Sequence, residues 1–342
     1  MAATFPHALT DVSTSWLEER RLAGEVPGRA PIVRADVERI GVGFGLDGIV
    51  ARVTVFDAAS ETSTLILKWS KPESSAREGH ALRSLGWRAP GATSRLIASF
   101  RDEEAALLVL EDLAGARQGD AIVGATPEEA LRLVDRVVEI QVAYHATTSP
   151  GALDGFRAWG EDAKGQSERT AQRLPEFLAW WSHLLSPWMR RRVESLPDDV
   201  LAAHARLAQA TPTLIHSDLH LDNVMFRADG EPVIIDWPDA ARGPGVVDVV
   251  RILVEGVTIE TRRRIEDEVW KHYRRTLGAV GIELDPKAMA EEAADALIVG
   301  TAGVVRFRPP DKNSPDRLVP IIENLVRNCS AAMEDAAGVS RS

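Results

Sequence analysis

Only one cysteine, Cys329, stands in the 342 residues, so an intramolecular disulfide and a thiolate zinc cluster are both excluded. That scarcity suits a reducing compartment, and a cytoplasmic protein is expected. Basic runs are lacking too. No block of five or more Lys/Arg occurs and the formal net charge is -11, which disfavours a surface built to release counterions from nucleic acid. An acidic cleft would suit a cationic small substrate, although net charge speaks mainly to solubility. Long apolar runs are missing as well: LIVGTAGVV at 297–305, the longest uncharged stretch near the end, is too short to span a bilayer. The opening MAATFPHALTDVSTSWLEERR has neither a basic start nor an apolar leader segment, so no membrane partner is expected.

What is present is an ordinary globular composition, 45% hydrophobic and 27% charged, in a chain long enough for two lobes. Residues 36–70 are rich in β-branched side chains, with a Gly-dense turn and a polar break at AASETS, and read as three successive strands. PESSAREGHALRSLGW, 72–87, starts with Pro and reads as a helix up to Gly86; SRLIASF and AALLVLEDL form a further strand pair. The N-terminal part is thus a mostly antiparallel sheet with one helix. Beyond the loop-like 113–126, apolar residues take helical spacing at 127–145 and around 167–210, 246–279, 286–299 and 315–337, with short strands at 211–237. The expected fold class is α+β, with an N-terminal lobe at 1–113 and a mainly helical lobe at 114–342. Neither an internal repeat nor a low-complexity tract interrupts it beyond Ala-rich patches.

Gly43, Gly45 and Gly48 in IGVGFGLDGIVARV match G-x-G-x-x-G, but a strand pattern follows and Lys68, not an acid, stands 20 residues after Gly48. That argues against a dinucleotide fingerprint. A Gly-rich hairpin whose amides approach phosphates and a plain turn both remain compatible with it. Lys68, in the apolar TLILKWS, is either an edge residue or half of a phosphate clamp with Glu78, ten residues on in the helix; a solvated face is the bland reading of Glu78.

LIHSDLHLDNVMF, 214–226, carries more information. His216-x-Asp218 with Asn223 five residues after the aspartate, then Asp236 in VIIDW, is a pattern suited to phosphoryl transfer. A carboxylate takes or orients the hydroxyl, and oxygen ligands place Mg2+ on the phosphates. The rival is a metal nest of His216, Asp218, His220 and Asp222 on one strand face, as in a metallohydrolase. It leaves the Gly loop and Lys68 unexplained. A nucleotide-binding scaffold without turnover is the other alternative, but every catalytic group is present.

HSDLHLDNVMF followed by VIIDWPDAARGPGVVDVVRIL resembles the catalytic core of the aminoglycoside phosphotransferase and choline kinase-like families, small-molecule kinases with a protein-kinase-like two-lobed fold. GVGFGLDGIVARVTV, LILKW and LLVLEDL resemble their nucleotide loop, clamp strand and hinge strand, particularly in the ecdysteroid-kinase-like branch; the resemblance covers 36–256. It implies ATP and Mg2+, with a hydroxyl-bearing small molecule as acceptor. Asp218 would be the catalytic base, Asn223 and Asp236 the Mg2+ ligands, and Lys68 with Glu78 the phosphate clamp beside Gly43, Gly45 and Gly48. Backbone groups near Glu111 and Leu113 would meet adenine, while His216 and Asp248 would brace the loop. Ser217 departs from the Gly, and Pro238 from the polar residue, frequent at these places. Three tryptophans in FLAWWSHLLSPWMRRR, 177–192, either line a pocket or fill a core, and the core is expected. Arg306 and Arg308 are candidates for an anionic substrate or for a solvated turn before Pro309 and Pro310, and the turn is expected; Asp222 is expected to be a loop carboxylate.

Overall fold

A computed structural model of the chain describes residues 5–41, 48–311 and 314–339. The chain forms two compact units, Met1–Arg117 with Val233–Asp239, and Gln118–Pro232 with Ala240–Ser342.

In the first unit a five-stranded antiparallel sheet has the order β1 (Ile32–Ile40), β2 (Ile49–Asp57), β3 (Thr62–Ser70), β5 (Ala106–Glu111), β4 (Leu96–Arg101). Side chains alternate across the pleat, so Leu65, Leu67 and Trp69 turn into a core shared with Val53, Val55, Leu107 and Val109. Each such enclosed aliphatic contributes about 1.5–3 kcal/mol. Ile66 and Lys68 therefore face the other way. Helix α2 (Pro72–Arg88) covers that face: Gly79 leaves room beside Leu108, which is paired with Lys68 across the sheet. The helix begins with Pro at its first position and buries Ser75, Glu78, Gly79, Ala81, Leu82 and Leu85, a stripe at three- and four-residue intervals.

One element was not expected. Helix α1 (Thr14–Leu22) precedes the sheet, capped by Ser13 Oγ accepting from the Trp16 N–H, and it buries Trp16 and Leu17. Its charge-rich EERR obscured those two apolar anchors.

The second unit holds α3 (Pro127–Tyr144), α4 (Ala163–Trp181), α5 (Pro187–Leu207), α6 (Val246–Glu255), α7 (Ile259–Gly278), α8 (Pro286–Val305) and α9 (Leu318–Ala336). A capping box of Thr126 and Glu129 starts α3. Strand Thr213–Ile215 runs antiparallel to Ala241–Gly243, which runs parallel to Arg157–Ala158. That small sheet and the near-wholly buried α6 bracket the loop 216–223. Among the described residues no helix is long and apolar enough to cross a membrane.

Candidate active site

Lys68 is no edge residue. Its Nζ lies 2.8 and 2.7 Å from the two carboxylate oxygens of Glu78 and 2.7 Å from Asp236 Oδ1. The lysine and the glutamate are both buried. Burial works against the ammonium, but the two carboxylates outweigh it and raise the Lys68 pKa, so the charge persists. An ammonium on four methylenes is thereby fixed in place.

Asp236, 168 residues further along, reaches Lys68 because the segment 233–239 is tied into the first unit. Ile234 donates its N–H to the Ala92 carbonyl at 2.9 Å, and Arg77 Nε on α2 donates to the Pro238 carbonyl at 3.0 Å. Trp237 is buried, with its indole N–H on the Ile234 carbonyl. These anchors hold Asp236 at φ 66°, a left-handed conformation that costs a non-glycine residue about 1–3 kcal/mol. The strain turns its carboxylate out: Oδ1 is on Lys68, and the side chain remains 44% exposed.

At the start of this strand group, Gly43 and Gly45 lie outside the described residues. Gly48 is inside, with φ 112°, and a Cβ there would come within 2.5 Å of the Trp69 carbonyl oxygen. Glu111 ends β5, its N–H on the Arg95 carbonyl at 2.9 Å and its carboxylate accepting from the Arg95 N–H. The Leu113 carbonyl accepts from Ala116.

In the second unit the loop 216–223 hangs from Asp248 in the first turn of α6. Its buried carboxylate accepts the N–H of His216 at 2.7 Å and of Ser217 at 3.1 Å. Ser217 sits at φ 70°, so the glycine it replaces in the motif is explained by backbone geometry, and the two bonds from Asp248 hold the strained turn. His216 Nδ1 accepts the Asp218 N–H at 3.3 Å. Asn223 Nδ2 donates to the Asp218 carbonyl at 3.0 Å, which leaves Oδ1 as the oxygen that could take a cation.

The Asp218 side chain is about half exposed (49%), with His220 Nε2 3.6 Å from Oδ2 and Arg251 Nη1 3.4 Å from Oδ1. Burial would raise the carboxyl pKa, but the hydrogen bond and charge of His220 and the Arg251 guanidinium outweigh it and hold it well below the usual carboxylate range. Conversely, the carboxylate of Asp218, with Glu255 and Asp222 behind it, outweighs burial and raises the His220 pKa. Arg251 was not anticipated. It is the lone cation in the apolar VVDVVRILVE of α6, one turn before Glu255, whose carboxylate it grips at 2.9 and 2.8 Å. A charge inside such a run is the signal that could have found it.

Asp222 is more than a loop carboxylate. Buried in the turn Leu221–Asn223, it accepts from the Ala121 N–H at 2.9 Å and from Arg317 at 3.0 Å. Because 221–223 form a 3-10 turn, the alternating His/Asp residues do not share one strand face, and the metal nest dissolves. Among the described residues no group of three or more His, Cys, Asp or Glu could hold a metal ion. Only Trp181 of the tryptophan cluster fills a core; Trp180 is 47% exposed and Trp188 half-buried. Arg306 stands in the turn that ends α8, half-buried and donating to Gln166 Oε1 at 3.1 Å, while Arg308 is exposed.

The first unit thus holds a lysine gripped by a helix glutamate and a chain-remote aspartate, and the second an H-x-D-x4-N loop hung from the acidic start of α6. The model of the phosphotransferase enzyme family APH matches residues 50–291.

The chain belongs to the APH phosphotransferase family.

Several solved structures share this family member's protein-kinase-like fold. Choline kinase LicA from Streptococcus pneumoniae is 14% identical, covers 91% of this chain and 98% of its own, and has a TM-score of 0.53. LicA in complex with AMP matches at 16% identity, 92% and 98% coverage and TM-score 0.51. Ethanolamine kinase of Plasmodium vivax is 12% identical, with 88% of this chain and 83% of that one covered and a TM-score of 0.54. Macrolide 2'-phosphotransferase MphH from Brachybacterium faecium is 16% identical, with 96% and 98% covered and a TM-score of 0.51. No curated protein matches the APH family chain in sequence. The expected α+β fold, an antiparallel N-terminal sheet followed by a helical part, is the one these relatives share.

Proposed function

We propose that the protein transfers the γ-phosphate of ATP to a hydroxyl of a small molecule, with Asp218 as catalytic base. Family membership supports small-molecule phosphotransfer, and the AMP complex of LicA supports an adenine nucleotide. The observation that carries the reading is the state of Asp218: ionised, half exposed and flanked by His220 and Arg251. A carboxylate so placed accepts a charge-assisted hydrogen bond from an incoming hydroxyl, orients its oxygen, and takes the proton as transfer proceeds.

In the proposed step the acceptor oxygen bonds to the γ-phosphorus while the bond from that phosphorus to the β-phosphate oxygen breaks, ADP leaves, and the hydroxyl proton moves to Asp218. Lys68, immobilised by Glu78, sets its charge against the phosphate oxygens. The Leu113 N–H, which has no backbone partner among the described residues, suits an adenine acceptor nitrogen. Asn223 Oδ1 and the Asp236 carboxylate are hard oxygen donors of the kind Mg2+ prefers, and these two residues would hold it. When bound, Mg2+ supplies charge neutralisation at the phosphates. The test is transfer of labelled γ-phosphate from ATP to a panel of hydroxyl compounds. Label found only in inorganic phosphate, or none released, would overturn the reading.

A further inference from the structure

Arg306 is held differently from Arg169, Arg206 and Arg251 of the second unit. Arg169 is neutralised by Asp162 at 2.7 Å, Arg206 by Asp295, and Arg251 by Glu255 at 2.8 Å. Arg306 has an amide instead: its Nη1 donates to Gln166 Oε1 at 3.1 Å, and among the described residues no carboxylate forms an ion pair with it. Gln166 is itself pinned, because the same Oε1 lies 3.2 Å from Nε2 of the buried His204. Burial, with Arg306 close by, pushes the His204 pKa down to about 4, so the ring is neutral and Nε2–H is the donor. The relay from His204 through Gln166 to Arg306 thus fixes a guanidinium without quenching its charge.

The surroundings add to that surplus. Burial and the charges of Arg169 and Arg251 lower the Arg306 pKa to about 10, with only Asp162 opposing them, and Asp162 is already committed to Arg169. Trp159 links this cluster to the catalytic loop: its ring tilts over His204 with centroids 4.7 Å apart, and it lines a small cavity with Arg251, which contacts Asp218. An immobilised, half-buried cation without a counter-ion is what an anion-binding group requires.

We infer that Arg306 binds an anionic group of the acceptor, a carboxylate or a phosphate monoester, so that the substrate class is a hydroxylated anion and not an amino alcohol. This rests on the reading of Asp218 as the base of a small-molecule kinase. Choline and ethanolamine carry cations, which Arg306 would repel. A helix-capping role alone, at the C-terminal end of α8, would leave acceptor binding untouched.

The test uses the full chain and its Arg306→Gln and Arg306→Lys variants with matched probes: glycerate against glycerol, glycerol 3-phosphate against glycerol, and choline. Each probe is read as an acceptor by nucleotide consumption and as a ligand by its shift in Tm with ADP and Mg2+ present. Anionic probes should bind and react at least tenfold better than their neutral partners, and the carboxylate and phosphate arms separate the two chemistries. Arg306→Gln should raise the anionic acceptor's KM at least tenfold with the KM for ATP unchanged, and Arg306→Lys should recover part of it. Equal or better use of glycerol or choline, no Tm shift with either anion, or an Arg306→Gln variant with unchanged acceptor KM would each overturn the inference. Anion binding through Arg306 without phosphate transfer would sink the kinase reading and leave this one standing. Transfer to choline without anion binding would do the reverse.

Discussion

Arg251 Nη1 lies 3.4 Å from Asp218 Oδ1 while both oxygens of Glu255 grip the same nitrogen at 2.9 and 2.8 Å. Glu255 thereby aims a permanent cation at the proposed base. Because its folded pKa lies below the ordinary 3.8, Asp218 is ionised throughout the neutral range, and its stabilising contribution is lost only as pH falls through the folded value. We expect no acid limb from Asp218 above about pH 4 in the wild-type profile of kcat/KM. In the double variant Arg251→Gln/Glu255→Gln, which leaves no unpaired buried charge, the acid limb should move to higher pH. An unmoved limb would contradict the electrostatic role of Arg251.

Lys68→Met should strand the buried Glu78. Breaking a buried pair costs about 3–5 kcal/mol, measurable by urea unfolding, and the variant should also lose the Tm increase caused by ATP and Mg2+. Lys68→Met/Glu78→Leu should recover most of the stability and none of the nucleotide effect. Recovery of both would show that Lys68 serves the fold alone.

Gly48→Ala introduces a Cβ 2.5 Å from the Trp69 carbonyl oxygen at φ 112°. The backbone must shift, and a loss of about 1–3 kcal/mol is expected in chemical denaturation. A variant as stable as the wild type would show that the β2 entrance relaxes freely.

His204 links pH to stability. Its folded pKa of about 4 is below the ordinary 6.5, so the neutral ring's contribution is fully present above the unfolded value. It is lost as pH falls from 6.5 toward 4, at up to about 1.4 kcal/mol per pH unit. His204→Asn should lower stability at pH 7.5 but flatten the decline between pH 6.5 and 4.5. An identical slope in variant and wild type would place the acid sensitivity elsewhere.

Much of this was legible in the sequence where a local rule decides the outcome. β-branched alternation marked β2 and β3, Pro72 marked the start of α2, and the Asp218-to-Asn223 interval marked the loop. Other features depend on contacts that sequence spacing does not encode. Asp236 joins Lys68 where Ile234 is tied to Ala92, Pro238 to Arg77 and the Trp237 indole to Ile234. Asp222 is a loop carboxylate whose anchoring is not visible in the sequence, because its partners, Ala121 and Arg317, are remote in the chain. Trp180 and Trp181 look alike in sequence, yet adjacent helix positions point about 100° apart, so one is buried and one exposed. Arg306 looked like turn chemistry because Pro309 and Pro310 follow it, and its value depends on Gln166 being 140 residues away.

The central claim is that Asp218 performs the proton transfer, and the most direct measurement is single-turnover transfer of the labelled γ-phosphate of ATP by wild type and Asp218→Asn. The asparagine keeps the side chain's shape and removes its basicity. The account requires transfer to fall about 10²–10⁴-fold while the Tm shift with ATP and Mg2+ is retained. Transfer by Asp218→Asn at the wild-type rate would contradict it.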